Sequence, residues 1–483
     1  MKKSLAGAVG ADDVFDDRET LEHYSNDNSL DSAVLPSYVV WPKDYEQVQK
    51  VIGVAREVTM PVVPSSSGVH MYGGAIPRQG GIVMDLRKMN KILDIDKSNR
   101  VARIEPGVTW EQLQNVLAEE NLMAMIPLLP HAEKSALTSH LEREPQIIPK
   151  YEYAEPLMTT ETIFPKGDLF RTGAACAGPG IYEHKPGGVL PYGPGLDFWR
   201  LLQGAQGTMG VVTWGSVKVE HKSDINRPYF ILLDDIQDAI DILYRIGRKM
   251  TGQELLLLDN VNLAAILSQG SPQDYHRLVN VLAPWTIIVV ISGAVYRPEE
   301  RMDYEEEELF RIGRDFSLEK IYSALPGVPG AERNLVEQLR NPWPKEETYW
   351  KFINKGGSAD LFFLTTMEKV PGFVDVLMQS ASEFGFLVNE VGCYVQPLEY
   401  GRQCHLEFNF AYNHCDPLEV EAVKALYAEA AKRMLTMGAF YSRPYGILAD
   451  LAYGKATGYT TVLKKLKSAM DPQNIMNPGR LCF

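Results

Sequence analysis

Residues 61–75, Pro-Val-Val-Pro-Ser-Ser-Ser-Gly-Val-His-Met-Tyr-Gly-Gly-Ala, have the composition of a loop that presents its backbone to a ligand. Pro64, Ser65, Ser66, Ser67, Gly68, Val69, His70, Gly73 and Gly74 leave several N–H groups bare and let them approach closely, which suits a pyrophosphate. No Gly-Lys-Ser/Thr follows and no Gly-x-Gly-x-x-Gly opens a helix, so neither a Walker loop nor a Rossmann fingerprint is present. Taken alone, these residues also fit a Ser/Gly surface loop that binds nothing. A second such place is Gly207-Thr-Met-Gly-Val-Val212. There a helix capped by Gly207 is expected to turn through Gly210 into a strand at Val211 and Val212, leaving free backbone N–H groups at the strand start.

The elements that must position these loops follow from pattern. Ser37–Trp41 reads as a strand stopped by Pro42, and Asp44 and Gln47 open a helix through Arg56. Met60–Val63 is a short strand that empties into the Ser/Gly loop. Gly80–Leu93 gives a strand, a turn and a second strand, and Thr109 and Gln112 open a further helix carrying Leu113, Val116 and Leu117 on one face. Residues 131–200 are irregular and rich in Pro, Gly and Tyr, apart from a hairpin over Thr162–Gly173 that turns at Lys166-Gly167-Asp168. After His221, strands and helices alternate up to a long amphipathic helix over Pro417–Met437, which predicts a second domain resting on the first. Residues 1–35 are polar and acidic and read as an arm over the surface.

A chain of 483 residues needs two or three cores, and 45% hydrophobic with 23% charged residues is a globular composition. The formal charge of −14 argues against nucleic acid and anionic membranes as partners. Five scattered cysteines without a Cys-x-x-Cys pair indicate no zinc or iron–sulfur site. The first ten residues start like a signal peptide but meet Asp12 and Asp13 after too short an apolar run, so a cytoplasmic location is expected. No stretch is apolar enough to span a membrane.

The order of strand, Ser/Gly loop, Asp85-Leu-x-x-Met-Asn90 and Glu105-Pro-Gly-Val-Thr109 resembles the FAD-binding domain of the vanillyl-alcohol oxidase family, which includes 4-cresol dehydrogenase. Further matching pieces are Tyr72-Gly-Gly-Ala-Ile-Pro-Arg78, Glu142-Arg143, Phe170-Arg-Thr-Gly173, Pro191-Tyr-Gly193, Leu361-Phe-Phe363 and Asp471-Pro-Gln-Asn-Ile-Met-Asn-Pro-Gly-Arg480. The resemblance implies an α+β fold: a PCMH-type FAD-binding domain of two α+β subdomains over 36–222, an α/β substrate cap over 223–437, and a segment over 438–483 that returns to the FAD domain. It implies FAD as cofactor, held by the two loops named above together with Pro106, Gly107, Asn477 and Arg480.

For the substrate site, the resemblance places Tyr72, Tyr441 and Arg443 around a phenolate oxygen, Glu152 as the acid/base and His405 as a pocket residue. A phenolate needs hydroxyl donors and a guanidinium together, and a carboxylate in an apolar pocket lined by tyrosines has a raised pKa suited to general-base work. Three departures matter. Ser442 separates Tyr441 from Arg443, so in an extended segment the two side chains share one face. Ala132-Glu133-Lys134 replaces a glycine-rich loop, so backbone approach to the cofactor there must differ. Asp360 stands where some members carry a histidine bonded to the flavin, which predicts non-covalent FAD.

The expected activity is hydride removal from a small aromatic substrate, 4-hydroxybenzylic or para-alkylphenolic, with oxygen or an electron-acceptor protein as partner and homo-oligomers possible. The alternatives are a 2-hydroxy-acid dehydrogenase of the same fold, with Arg443 on a carboxylate, and an FAD-binding electron-transfer subunit without a working pocket.

Overall fold

The computed structural model describes residues 1–150, 155–177, 190–293 and 296–483. Its first sheet has four strands in the order Val14–Phe15, Tyr38–Val40, Ile82–Asp85, Val62–Ser65. The last three pair in parallel, and all four residues of Ile82–Asp85 are buried, as a strand covered on both faces requires. Helix Tyr45–Glu57 packs Val48, Val51 and Ile52 against this sheet, and the Asp44 side chain accepts from the Gln47 N–H at 2.8 Å to cap it. The reading of residues 1–35 as a surface arm needs correction at its start. Helix Lys2–Val9 buries Leu5, Ala8 and Val9, at helical spacing, in the same core, and Val14–Phe15 joins the sheet.

The second sheet is antiparallel, in the order Ile92–Asp96, Val101–Ile104, Val211–His221, Leu157–Ile163, Leu169–Arg171, with Leu122–Ala124 also pairing with Val211–His221. The predicted hairpin is the pair Leu157–Ile163 and Leu169–Arg171, turning at Gly167. Before Val211 the expected helix is only the short 3₁₀ turn Phe198–Leu201, so loop carries the chain into Gly207.

The third sheet has six strands in the order Asn226–Leu233, Trp285–Ser292, Glu254–Asp259, Val391–Leu398, Gln403–Tyr412, Gly357–Thr365. Every recorded pairing is antiparallel, because neighbours such as Val391–Leu398 and Gln403–Tyr412 are joined by a short turn. The cap thus mixes helix and strand as its alternation implies, but on an antiparallel sheet.

Strand alternation gives this sheet two different faces. Leu255 and Leu257 enter a core covered by helices Ile236–Lys249, Pro298–Asp315, Val370–Glu383 and Pro417–Met437. Leu256 and Leu258 enter a second core shared with Trp110, Leu113 and Val217 of the preceding domain. On Gln403–Tyr412, Cys404, Leu406, Phe408 and Phe410 take the helix-covered side, which leaves His405, Glu407 and Asn409 together on the other. The chain then returns: Phe440 bridges Leu364, and Met476 bridges Val62 beside the Ser/Gly loop. Among the described residues no helix is long and apolar enough to cross a membrane, and no cluster of His, Cys, Asp or Glu is arranged to hold a metal ion.

Candidate active site

A cleft of about 1030 Å³, counting its open mouth, runs between the Ser/Gly loop and the Gly207 turn. Pro64, Ser65, Ser66, Ser67, Val69 and His70 line one side of it, and Gly207, Gly210 and Val212 line the other. The loop is tied down internally: Ser65 Oγ lies 2.9 Å from His70 Nε2, and Ser66 Oγ lies 2.6 Å from Thr138 Oγ1. Burial holds His70 below the usual histidine range.

Gly207 sits at φ +72°, and a Cβ there would stand 2.8 Å from Pro64 Cδ, so the two loops touch only because this residue is glycine. Gly74 and Pro106 also line the cleft.

Several predicted cofactor residues serve the cleft from outside. Gly68 lies off its wall, and Gly73 donates its N–H to Asp27 Oδ2 at 2.8 Å. A Cβ on Gly107 would come within 2.6 Å of the Arg87 carbonyl, so this glycine lets two turns pack rather than lining the cleft. Val211 is buried in the core beneath the first sheet with Val48 and Ile82, because alternation sends Val212 to the cleft instead.

Asn477 donates to the Gly74 carbonyl at 3.1 Å and to the Gln206 carbonyl at 2.7 Å, stapling the two loops together. Arg480, 2% exposed, donates to the carbonyls of Gly73 and Ile76 and meets Asp31 at 2.8 Å.

At the end of the cleft nearest the cap, Tyr72 stacks on Tyr445 with centroids 5.1 Å apart, and Phe362 meets the Tyr72 ring edge-on at 5.2 Å. The Arg443 guanidinium lies over Phe362 at 4.5 Å and over Tyr72 at 5.7 Å. It is 5% exposed, its nearest carboxylate is Glu144 Oε1 at 3.6 Å, and its Nε and Nη2 have no hydrogen-bond partner. Burial opposes its charge, yet Tyr445, Glu144, Tyr72 and Glu142 together hold it firmly protonated. Glu144 is buried as well, but Lys134 and Arg443 outweigh that and keep its carboxyl below the usual range. Lys134 bonds Glu144 and stands 5.9 Å from the Tyr72 ring centroid. Tyr445 donates to Glu142 Oε2, and burial raises the Glu142 pKa.

The structure brings Tyr72 and Arg443 together, but not Tyr441. The chain bends at Ser442 and Arg443, so the alternation expected of an extended segment fails. Tyr441 donates instead to the Ala431 carbonyl at 2.6 Å and packs edge-on against Phe363 in the cap core.

His405 lies behind Phe362, 5.7 Å between ring centroids, with Nε2 3.0 Å from Glu407 Oε2; burial, its largest influence, keeps it below the usual histidine range. Asp360 faces a second cavity of about 790 Å³ behind Tyr72 and Tyr445. Its carboxylate accepts from Lys351 at 2.6 Å and from Ser358 and Asn409, each at 2.7 Å. Glu152 lies outside the described residues.

Tyr445, Glu144 and Lys134 were missed as site residues. The available signals were a second tyrosine two positions after Arg443, a base in the segment where the resemblance breaks, and an acid directly after the matching Glu142-Arg143.

The cleft fits FAD on its own evidence: it is an elongated space walled by the Ser/Gly loop on one side and the Gly207 turn on the other, with Gly207 pressed against Pro64 where only a glycine fits. Comparison with known proteins agrees. Residues 36–132 match the family described as FAD binding domain, and residues 363–481 match that of FAD linked oxidases, C-terminal domain. The glycolate oxidase subunit GlcD of Bacillus subtilis is 22% identical over 100% of this chain and 96% of its own length. The flavoprotein subunit of 4-cresol dehydrogenase (hydroxylating) of Pseudomonas putida is 24% identical over 93% of this chain and 88% of its own. The crystal structure of p-cresol methylhydroxylase with substrate bound superposes with a TM-score of 0.85 at 21% identity, covering 100% of this chain and 96% of that one.

The fold is the PCMH-type FAD-binding architecture. The protein is an FAD-dependent oxidoreductase, assembled from an FAD binding domain and the C-terminal domain of the FAD-linked oxidases.

Proposed function

We propose that this oxidoreductase acts on a small aromatic substrate, a 4-hydroxybenzylic alcohol or para-alkylphenol, bound as its phenolate. One observation carries the reading: Arg443 is buried against aromatic rings, and its Nε and Nη2 make no hydrogen bond, with only Glu144 nearby at 3.6 Å. A buried guanidinium with idle N–H groups is costly to leave so, and an anionic oxygen is the partner that satisfies it. Tyr72, Phe362 and Tyr445 supply flat apolar walls for an aromatic ring. Bound FAD supplies the hydride acceptor. The chain's part is to hold the substrate oxygen as an anion, so that its electrons assist departure of hydride from the benzylic carbon attached at the para position, and to keep water out with the aromatic walls. Tyr72 and Arg443 carry the oxyanion role, Glu152 is retained as a proton acceptor, and His405 backs Phe362.

FAD is held non-covalently on this reading. Asp360 is committed to Lys351, Ser358 and Asn409, and His70 Nε2 lies against Ser65. The electrons then pass to oxygen or to an acceptor protein. A second reading has support of its own: a guanidinium also grips a carboxylate in a forked pair, and GlcD is a glycolate oxidase subunit. The substrate would then be a 2-hydroxy acid. Anaerobic mixing of the yellow protein with a panel of para-substituted phenols and 2-hydroxy acids decides between them. Bleaching by the phenols alone supports the first reading, and bleaching by the hydroxy acids alone replaces it with the second.

A further inference from the structure

We propose that Glu142 and Tyr445 are the couple that takes the proton from the substrate oxygen. The inference rests on the substrate reading above only in that the substrate carries an ionisable O–H. Oxidation removes a hydride and, from the oxygen, a proton, and that proton needs a route out of a closed site. Tyr445 lines the cleft, its ring forms one wall of the aromatic box with Tyr72, and its hydroxyl donates to Glu142 Oε2. Glu142 lines the same cleft. Both are therefore inside the site, already hydrogen-bonded, and beside the Arg443 Nε and Nη2 donors, which make no hydrogen bond and would face the oxyanion.

Burial, acting against most of the surrounding charges, sets the direction of transfer. Glu144 faces Glu142 from the same segment, Lys134 from the preceding turn, and Arg443 and Tyr445 from the segment after Phe440, while Tyr72 stacks on Tyr445 from the Ser/Gly loop. Burial makes Glu142 a stronger base than an ordinary glutamate, although the Tyr445 hydrogen bond and Arg443 oppose this. Burial also lifts the Tyr445 pKa far above that of a free tyrosine, so Tyr445 cannot stand as an isolated tyrosinate. It can only pass a proton through.

In the step, the substrate O–H bond breaks and its proton binds Tyr445 Oη. The proton Tyr445 carried moves to Glu142 Oε2, so Tyr445 ends as it began. One negative charge has moved from Glu142 to the substrate oxygen, where Arg443 receives it. No oxidant enters this step.

The test compares wild-type holoenzyme with Glu142→Gln, Tyr445→Phe and Glu142→Asp. Flavin content checks that each variant folds. Glu142→Gln and Tyr445→Phe are expected to slow anaerobic flavin reduction about 10²–10⁴-fold. Wild-type rates should fall with acid as Glu142 protonates, Glu142→Gln should lack that acid limb, and Glu142→Asp should restore part of the rate.

A second measurement needs no substrate. Infrared pH-difference spectra of wild type should show a carboxyl band titrating above the ordinary glutamate range and absent from Glu142→Gln. Full flavin with an unchanged rate and acid limb in Glu142→Gln overturns the proposal, and so does the lack of that band in wild type. If no phenol or hydroxy acid reduces wild type, the substrate reading fails, and the infrared band still decides the couple.

Discussion

The rings of Tyr72 and Tyr445 stack with planes 30° apart, joining the Ser/Gly loop of the first domain to the segment that returns after the cap. The same pair lines both the cleft and the second cavity, so the substrate end of the site is built at a junction between distant parts of the chain.

Arg443→Ala should weaken a non-reacting phenol by about 2 kcal/mol or more, roughly 30-fold in Kd, because it strips the charged partner from a buried oxyanion. Tyr441→Phe should leave that affinity unchanged, since the Tyr441 hydroxyl bonds Ala431 away from the cleft. Titrating bound flavin absorbance with the phenol measures both. Equal Kd for wild type and Arg443→Ala would remove the oxyanion role.

Gly74→Trp should yield protein with little flavin. The residue lines the cleft, and its Cβ position lies 3.6 Å from Tyr445 Cε1, so an indole must project into the ligand space. The ratio of flavin to protein absorbance reads the effect, and full flavin in this variant would contradict the placement of the cofactor.

Precipitation of the holoprotein with acid should leave a white pellet beneath a yellow supernatant, as free FAD would give. A pellet that stays yellow through washing means that a side chain other than Asp360 is bonded to the flavin.

His140 gives the fold a pH dependence whose sign can be worked out. Its ring is 1% exposed, packs edge-on against Trp110, and neither nitrogen has a hydrogen-bond partner. Burial pushes its pKa down to about 4 from 6.5, so the unfolded chain takes up the proton first as pH falls. Stability from this group is whole above about pH 6.5 and is lost progressively toward pH 4, by about 3 kcal/mol in all. Urea titrations across that range should show His140→Leu losing less stability with acid than wild type. Parallel slopes for the two proteins would refute the assignment.

The ligand loops were readable because their chemistry is local. Runs of Ser and Gly after a strand, and Gly207 before another, announce exposed backbone whatever surrounds them. Arg443 was readable by type alone. Its tyrosine partner was not, because face alternation holds only while the backbone stays extended, and the bend at Ser442 and Arg443 turns Tyr441 into the cap core while Tyr445 faces Tyr72. Glu144 and Lys134 escaped notice because only folding sets them beside Arg443. The row of His405, Glu407 and Asn409 was half visible: the period of two was on the page, but not which face met the site. Asn477 and Arg480 were expected to hold the cofactor, and the structure shows them gripping the loops around the cleft, a contact that no local pattern announces.

The staple formed by Asn477 and Arg480 has a consequence for how the protein is made. Asn477 reaches back 403 positions to Gly74, and Arg480 reaches 404 positions to Ile76. Val62–Ser65 and the loop after it leave the ribosome long before either residue exists. Until Asn477 and Arg480 have been made, the nascent Ser/Gly loop lacks these braces. The loop is braced around its ligand only once residues 475–480 have been made and dock against Val62.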